Sequence, residues 1–217
     1  MLRALAIALT FLAAPARGCD TALLLAIDIS GSIDSAEYAL QVQGLADALA
    51  DPRVREALLA GQVAVSVMQW SGVDQQAMVL PWRRMFDTGE IARFAAETRT
   101  LPRIFAASDT AVGGALAFAT AQFSEVPDCQ RRVIDISGDG PENAGFTVTA
   151  ARAYAIAQGI EINAIAIEDF GASAPITAFY QRWVISRGGF VMTARGLRDY
   201  PRAIRAKLLR ELEKPMG

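Results

Sequence analysis

Three stretches of the 217-residue sequence combine apolar runs with oxygen-bearing side chains. The first is LLLAIDISGSID, which presents Asp28, Ser30 and Ser32 after a run of apolar residues. Carboxylate and hydroxyl oxygens are hard ligands that suit Mg²⁺ or Mn²⁺. The pattern D-x-S-x-S is short, however, and Ser and Asp in such a loop are also typical of turns and helix caps. The interpretation as a cation site therefore depends on the other two stretches.

Those two stretches add one hydroxyl and one carboxylate. SDTAVGGALAFA carries Thr110 at the predicted start of a helix. RVIDISGDGPEN is a second apolar run that ends in an acidic turn, where Asp139 stands between two glycines that let the backbone bend. Ligands of an open parallel sheet bind beyond the carboxyl ends of its strands, which is where Asp28 and Asp139 are expected. The sequence therefore predicts that these side chains contribute to one site.

Composition excludes several other kinds of chemistry. The sequence has no histidine, which removes His-ligated zinc, Ser-His-Asp hydrolysis and Cys-His proteolysis. The formal net charge is only -2 and there is no cluster of Lys and Arg, which argues against broad binding of nucleic acid or anionic lipid. Any reaction would have to use carboxylates, hydroxyls, Lys, Tyr or a metal.

The site must be positioned by an alternation of apolar strands and helical segments. The hydrophobic pattern predicts strands over Leu23 to Ile29, Gln62 to Trp70, Ala77 to Trp82, Arg132 to Ser137, Glu161 to Ile167 and Phe190 to Thr193. It predicts helices over Ser35 to Ala50, Thr88 to Thr100, Thr110 to Phe123, Thr147 to Gln158, Ile176 to Ser186 and Leu197 to Glu213.

This alternation predicts a doubly wound α/β fold with a mostly parallel six-stranded sheet and helices on both faces. The second and third strands are separated only by SGVDQQ, which is too short for a crossover helix. They should form a hairpin and place one antiparallel strand at the edge of the sheet. The sequence shows no repeat or linker, so we expect a single domain over residues 17–217.

Three motifs in this order, D-x-S-x-S, T-x-x-G-x-A-L and an apolar strand that ends in D-G, resemble the von Willebrand factor A domain and its metal-ion-dependent adhesion site. The resemblance covers essentially the whole mature chain. RRVIDISGDGPENAG and FYQRWVISRGGFV are in addition similar to a family of secreted bacterial A-like domains that is catalogued only as a domain of unknown function. The resemblance implies a Rossmann-like fold and a metal site, while the second family implies no role.

The resemblance also implies a role for each side chain at the site. It assigns the hydroxyls of Ser30 and Ser32 as direct ligands of Mg²⁺ or Mn²⁺, and Thr110 as a ligand that binds directly or through water. Asp28 and Asp139 would act largely through water and hydrogen bonds that hold the serines in place. Two carboxylates roughly neutralise a divalent cation, and an open coordination position then attracts an Asp or Glu of a partner protein.

We therefore expect a metal-dependent protein-binding domain and not an enzyme. One alternative is a Mg²⁺-dependent hydrolase or phosphotransferase that uses the same ion as a Lewis acid, with Glu142 or Asp109 as the general base. Another is a structural domain whose site no longer binds metal.

The sequence departs from the family pattern at two positions. Gly138 stands where threonine usually precedes the last aspartate, and Asp109 stands before Thr110 where glycine is more common. Asp109 either adds negative charge beside the metal or caps the following helix, and we favour the cap because Asp is among the commonest capping residues.

Asp135 lies inside the predicted central strand, two residues before Ser137. A buried carboxylate without a partner is unfavourable. We expect it to pair with an arginine from a covering helix, for which Arg152 is a candidate.

The N-terminus reads MLRALAIALTFLAAPARG and has the features of a secretory signal peptide over residues 1–16. It combines one positive charge at Arg3, an apolar run from Ala4 to Ala14 and an A-x-A cleavage pattern. A run of eleven residues spans about 16 Å as a helix, roughly half of a bilayer core, so stable membrane insertion is not expected. An uncleaved amphiphilic N-terminus is the alternative. We expect a secreted protein, in the bacterial periplasm or outside the cell.

The chain has two cysteines, Cys19 and Cys129. Cys19 stands nine residues before Asp28 and Cys129 ten before Asp139, so adjacent parallel strands that bring the aspartates together also bring the cysteines together. Neighbouring strands lie about 4.8 Å apart, within the range that a disulfide spans. We predict a Cys19–Cys129 disulfide. Lipid attachment to Cys19 is the alternative, although the preceding residues ARG are a poor lipoprotein signal.

Overall fold

A six-stranded sheet forms the centre of the computed structural model, which describes residues 18–106, 108–168 and 175–213. The strand order is β3-β2-β1-β4-β5-β6, and every neighbouring pair is parallel except β2 and β3. The strands are β1 (Thr21–Asp28), β2 (Ala64–Trp70), β3 (Gln76–Arg84), β4 (Arg131–Gly138), β5 (Ile160–Ile167) and β6 (Val191–Ala194). This confirms the predicted fold class, including the antiparallel edge strand. The predicted signal peptide lies outside the described residues.

Helices cover both faces of the sheet. They are α1 (Ser35–Ala50), α2 (Pro52–Ala60), α3 (Thr88–Arg99), α4 (Val112–Gln122), α5 (Val148–Ala157), α6 (Ile176–Phe179) and α7 (Tyr200–Leu212). One apolar cluster packs α1, α2, α3 and α7 against one face, and a second packs α4, α5 and the segment after α6 against the other. β1 contributes residues to both clusters, which is why its sequence is apolar almost throughout.

The predicted strands agree with the structure to within two residues at each end, whereas the helices show two differences. The sequence prediction missed α2, although Asp51 caps it and Pro52 occupies its first turn, which is a recognisable start signal. The helix predicted over Ile176 to Ser186 is instead a four-residue helix, α6, followed by a π-helical turn over Tyr180–Val184. At the first helix the expected signal is present, because Asp34 and Glu37 form a capping box.

The strand order reverses between β1 and β4. The chain moves from β1 to β2 and β3 on one side, and from β4 to β5 and β6 on the other. The loops that leave β1 and β4 therefore separate, and they open a crevice beyond the carboxyl ends of these two strands. Ile27 pairs with Ser137 in the ladder, so Asp28 and Gly138 end their strands side by side. This crevice is the place at which the fold positions the predicted site.

The opposite end of the same two strands carries the disulfide. Cys19 and Cys129 are bonded, with their Cα atoms 4.4 Å apart. The backbone N–H of Gln130 donates to the carbonyl of Cys19 at 2.9 Å, so the β1–β4 pairing continues up to the cystine. The predicted disulfide is present, and the sulfur of Cys19 is not free for a lipid.

Asp135 has a different partner from the predicted one. Its Oδ1 lies 2.6 Å from Nζ of Lys207 on α7, and the same Nζ lies 2.6 Å from Oε1 of Glu211. All three side chains are almost completely buried. The expectation of Arg152 was wrong because alternation along β4 turns Asp135 toward α7, whereas Arg152 lies on α5 at the other face and donates to the carbonyl of Ile185.

Candidate metal centre

The loop after β1 brings Asp28 and the two serines into the crevice. Asp28 is the last residue of its strand and is fully buried. Its Oδ1 accepts a hydrogen bond from the backbone N–H of Ser30 at 2.7 Å. The backbone N–H of Gly31 donates to the carbonyl of Ser108 at 2.7 Å, which ties this loop to the segment before α4. The loop is therefore held at Ser30 and at Gly31.

Arg103 holds the same loop from outside, and the sequence analysis missed it. Its guanidinium donates to the carbonyls of Ile29, Ser30 and Ile33 at 2.6 to 2.8 Å. These contacts occupy three backbone carbonyl groups of the loop. They do not involve the hydroxyls of Ser30 and Ser32. No local pattern around Arg103 indicates this role, because the contact joins residues about 70 positions apart.

A chain of hydrogen bonds connects the serines to Asp139. Ser30 Oγ lies 3.2 Å from Ser32 Oγ, and Ser32 Oγ donates to Asp139 Oδ1 at 2.7 Å. Asp139 is 107 residues further along the chain than Ser32, yet it follows directly after the neighbouring strand β4. The structure thus brings together Asp28, Ser30, Ser32 and Asp139, as parallel strand ends require.

Thr110 lies beside this group but before α4, not at its first residue as predicted. It is largely buried, and its Oγ1 lies 4.0 Å from the point where a Cβ on Gly140 would stand. Asn143 fixes its backbone: the Thr110 N–H donates to Asn143 Oδ1 at 2.7 Å, and the Thr110 carbonyl accepts from the Asn143 N–H at 3.0 Å. Thr110 therefore faces the loop that carries Asp139.

Glu142 caps two helices at once, a role that the sequence analysis did not assign. Its carboxylate accepts from the backbone N–H of Gly113 in α4 at 2.8 Å and from that of Val148 in α5 at 3.1 Å. Asp109 is exposed, and no side chain caps α4 at its N-cap residue, Ala111. The expectation that Asp109 caps α4 was therefore wrong, since Glu142 supplies the acceptor from a neighbouring loop.

Gly138 has a steric reason to lack a side chain. A Cβ at this position would collide with the hydroxyl oxygen of Tyr180 and come within 3.0 Å of Asp28 Oδ2. Gly138, at the position where threonine is usual, therefore leaves room for the hydroxyl of Tyr180. The sequence shows Gly138, but it does not show which side chain approaches it.

Electrostatics at the site favour a cation. Burial, and next the negative charge of Asp139, raise the pKa of Asp28 to about 7. Asp28 Oδ2 is buried and has no hydrogen-bond partner within the described part of the chain. A nearby positive charge would stabilise the ionised form of this buried carboxylate.

The donors available in the crevice fit a hard divalent cation. They are two carboxylates and three hydroxyls, with no sulfur or imidazole among them. Among the described residues, no group of three or more His, Cys, Asp or Glu side chains is arranged to hold a metal ion. A cation in this crevice would therefore depend on the serine and threonine hydroxyls as well as on the two aspartates.

Solved structures with the same fold include several proteins of attachment or matrix type. The pilus adhesin SpaC from Lactobacillus rhamnosus GG, in its open conformation, aligns over 88% of this chain and 30% of its own, with 13% identity and a TM-score of 0.66. A von Willebrand factor type A protein from Catenulispora acidiphila aligns over 90% and 43%, with 19% identity and a TM-score of 0.63.

Proximal thread matrix protein 1 from the mussel byssus, in a structure with a zinc-occupied MIDAS motif, aligns over 90% of this chain and 46% of its own. Its identity is 15% and its TM-score 0.63. The chain spans less than half the length of each of these three proteins, and the low identities show the fold alone. No curated protein matches the sequence.

Residues 18–216 match the family model described as a protein of unknown function, DUF1194. This range covers almost the whole chain and includes every residue of the crevice. No helix in the described ranges is long and apolar enough to cross a membrane. The chain belongs to the DUF1194 family, and its fold is that of a von Willebrand factor A domain.

Proposed function

We propose that this domain binds Mg²⁺ or Mn²⁺ in the crevice and uses the ion to engage an acidic side chain of a partner protein. The residues that would hold the ion are Asp28, Ser30, Ser32, Thr110 and Asp139. One observation carries the proposal: the hydrogen-bonded serines and Asp139 lie at the same strand ends as Asp28 Oδ2, which is buried and has no hydrogen-bond partner in the described part of the chain.

The charges and donor types explain why binding is a more natural use of this site than catalysis. Asp28 and Asp139 roughly balance the charge of a divalent cation, and the hydroxyls of Ser30, Ser32 and Thr110 are neutral. The bound ion would supply an open coordination position of positive character. A carboxylate is the partner group that complements such a position.

Exposed apolar side chains on the same edge support a protein partner. Val73 in the β2–β3 turn, Ile104 before α4 and Phe146 after β4 are all exposed, and their loops lie at the carboxyl ends of the strands. Phe146 is 79% exposed, in a backbone conformation with φ of 51°. Exposed apolar residues around a polar centre are typical of interaction sites. The similar fold of a pilus adhesin supports the same interpretation.

The disulfide supports a location outside the cytoplasm. Disulfides persist in oxidising compartments such as the periplasm and the extracellular space. A cleaved signal peptide over residues 1–16 is part of this proposal, which places the mature domain in the periplasm or outside the cell.

The alternative of a Mg²⁺-dependent hydrolase is less well supported by the contacts. Of the two carboxylates considered as general base, Glu142 already accepts two backbone hydrogen bonds at helix N-termini. Each of its two carboxylate oxygens is therefore already engaged at a helix N-terminus. Asp109 is exposed. Turnover of a phosphoester panel that is lost in Asp28→Ala would favour the enzyme.

Metal-dependent capture tests the proposed function. The immobilised domain, residues 17–217, is incubated with cell-envelope extract of the source organism in Mg²⁺ or in EDTA, beside the variant Asp139→Asn. We expect a protein that is retained only by the wild type and only with Mg²⁺, and whose retention is lost when an Asp or Glu of its contact surface is replaced by the amide. Retention that is equal in EDTA would contradict the proposal.

A further inference from the structure

Tyr180 has an unexplained polar group in the interior of the protein. It is the first residue of the π-helical turn after α6, and its side chain is completely buried. Its hydroxyl has no hydrogen-bond partner in the described ranges. A buried hydroxyl without a partner is unfavourable, and π-helical turns occur often at functional sites. A phenylalanine at this position would pack equally well and would bury no hydroxyl.

The hydroxyl of Tyr180 faces the cation site. The Tyr180 hydroxyl oxygen and Asp28 Oδ2 both lie within 3.0 Å of the point where a Cβ on Gly138 would stand. Asp28 Oδ2 likewise has no hydrogen-bond partner among the residues that the structure describes. Two unpaired polar atoms therefore border the same small space at the carboxyl end of β4, one of them a donor and the other an acceptor.

The charges around Tyr180 keep its hydroxyl protonated. Burial first, and then the negative charges of Asp28 and Asp139, raise its pKa well above the ordinary value for tyrosine.

We propose that Tyr180 is a positioning residue of the cation site, whose hydroxyl donates to Asp28 Oδ2 and fixes the orientation of this carboxylate when the cation is bound. The proposal rests on the proposed function, since it concerns the same ion. It also explains Gly138, because any side chain there would displace the tyrosine hydroxyl. Groups that orient metal-bound side chains commonly affect metal affinity by about 10- to 100-fold.

Removal of the single oxygen tests this role. The Mg²⁺ affinity of Tyr180→Phe, measured by calorimetry, should be about tenfold weaker than that of the wild type. Tyr200→Phe is the matched control, because Tyr200 is equally buried but lies on the opposite face of the sheet, near Asp135. We expect the control to bind Mg²⁺ as the wild type does. Equal affinity in wild type and Tyr180→Phe would overturn the inference while leaving the proposed function intact.

A second measurement follows Tyr180 in the wild-type protein. The chain has four tyrosines, and in protein labelled with 3-fluorotyrosine the Tyr180 resonance can be assigned by comparison with Tyr180→Phe, or by elimination with phenylalanine variants of the other three. The fluorine resonance of Tyr180 should shift on addition of Mg²⁺, with the midpoint found by calorimetry. A wild type that binds Mg²⁺ without any change at Tyr180 would contradict the inference. A wild type that binds no Mg²⁺ would overturn the inference and the proposed function together.

Discussion

Lys207→Met should lower the free energy of unfolding by roughly 3–5 kcal/mol at neutral pH, the range typical of a broken buried ion pair. Lys207 is completely buried, and its ammonium lies 2.6 Å from a carboxylate oxygen of both Asp135 and Glu211. Met fills a similar volume but leaves two carboxylates buried together without the ammonium group that contacts both. Urea unfolding followed by circular dichroism measures the effect.

The charge of the cluster, and not its packing, should account for the loss. Burial, and next Asp135, raise the pKa of Glu211 to about 7, while Lys207 and Arg131 oppose this shift. The triple variant Asp135→Asn, Lys207→Met, Glu211→Gln has a neutral cluster of similar shape and should recover most of the lost stability. A triple variant no more stable than Lys207→Met would show that packing is the cause.

An exposed ion pair provides the matched control. Arg99 donates to Asp47 at 2.6 Å, but both side chains are largely in solvent, at 44% and 67% exposure. Solvent screens such a pair, so Arg99→Met should change the free energy of unfolding by less than about 1 kcal/mol. The difference between the two changes in the free energy of unfolding shows how much the burial of the cation contributes.

Asp28→Asn should stabilise the metal-free domain at pH 8 and at the same time remove its response to Mg²⁺. Asparagine keeps an oxygen that accepts from the Ser30 N–H, but it carries no charge into the buried position. Because the pKa of Asp28 is raised in the folded state, ionisation of this side chain disfavours folding. The gain should be roughly 1–4 kcal/mol in EDTA.

The pH dependence of this gain has a definite sign. A carboxyl group whose pKa is higher in the folded than in the unfolded state binds protons more strongly when folded, so the wild type loses stability as pH rises from about 4 to about 7. The advantage of Asp28→Asn over the wild type should grow across this window and stay constant above it. Thermal unfolding in EDTA from pH 4 to pH 8 measures it.

Addition of Mg²⁺ should reverse the order of stability. An ion that binds only the folded state stabilises it, by about 2.7 kcal/mol at a concentration of 100 times Kd. The wild type should gain this stability in Mg²⁺, whereas the midpoint of Asp28→Asn should not move. A variant that is less stable than the wild type in EDTA, or equally stabilised by Mg²⁺, would contradict the assignment of Asp28.

The sequence predicts the fold and the convergence of the crevice for a simple reason. Apolar runs such as LLLAI identify buried parallel strands, and the carboxyl ends of adjacent parallel strands must meet. Asp28 and Asp139 could therefore be placed together from strand positions alone. The disulfide at the opposite strand ends follows from the same register.

Contacts between side chains from distant segments could not be predicted in this way. Hydrophobic alternation places Asp135 on one face of β4, but it does not say that Lys207 of α7 will reach it. In the same way, nothing local to Glu142 indicates that it caps both α4 and α5, and nothing local to Tyr180 indicates that it approaches Gly138. Such contacts depend on how the helices pack onto the sheet. The hydrophobic periodicity of the sequence does not encode this packing.

A calorimetric titration of Mg²⁺ into the metal-free domain determines whether the crevice binds a cation. We expect that a single ion binds per chain, that the exposed control Glu125→Gln binds it equally well, and that the double variant Ser30→Ala, Ser32→Ala shows no binding. Glu125 lies near the start of β4, at the opposite end from the crevice. Binding that persists unchanged in the double variant, or a wild type that binds no divalent cation, would contradict the account.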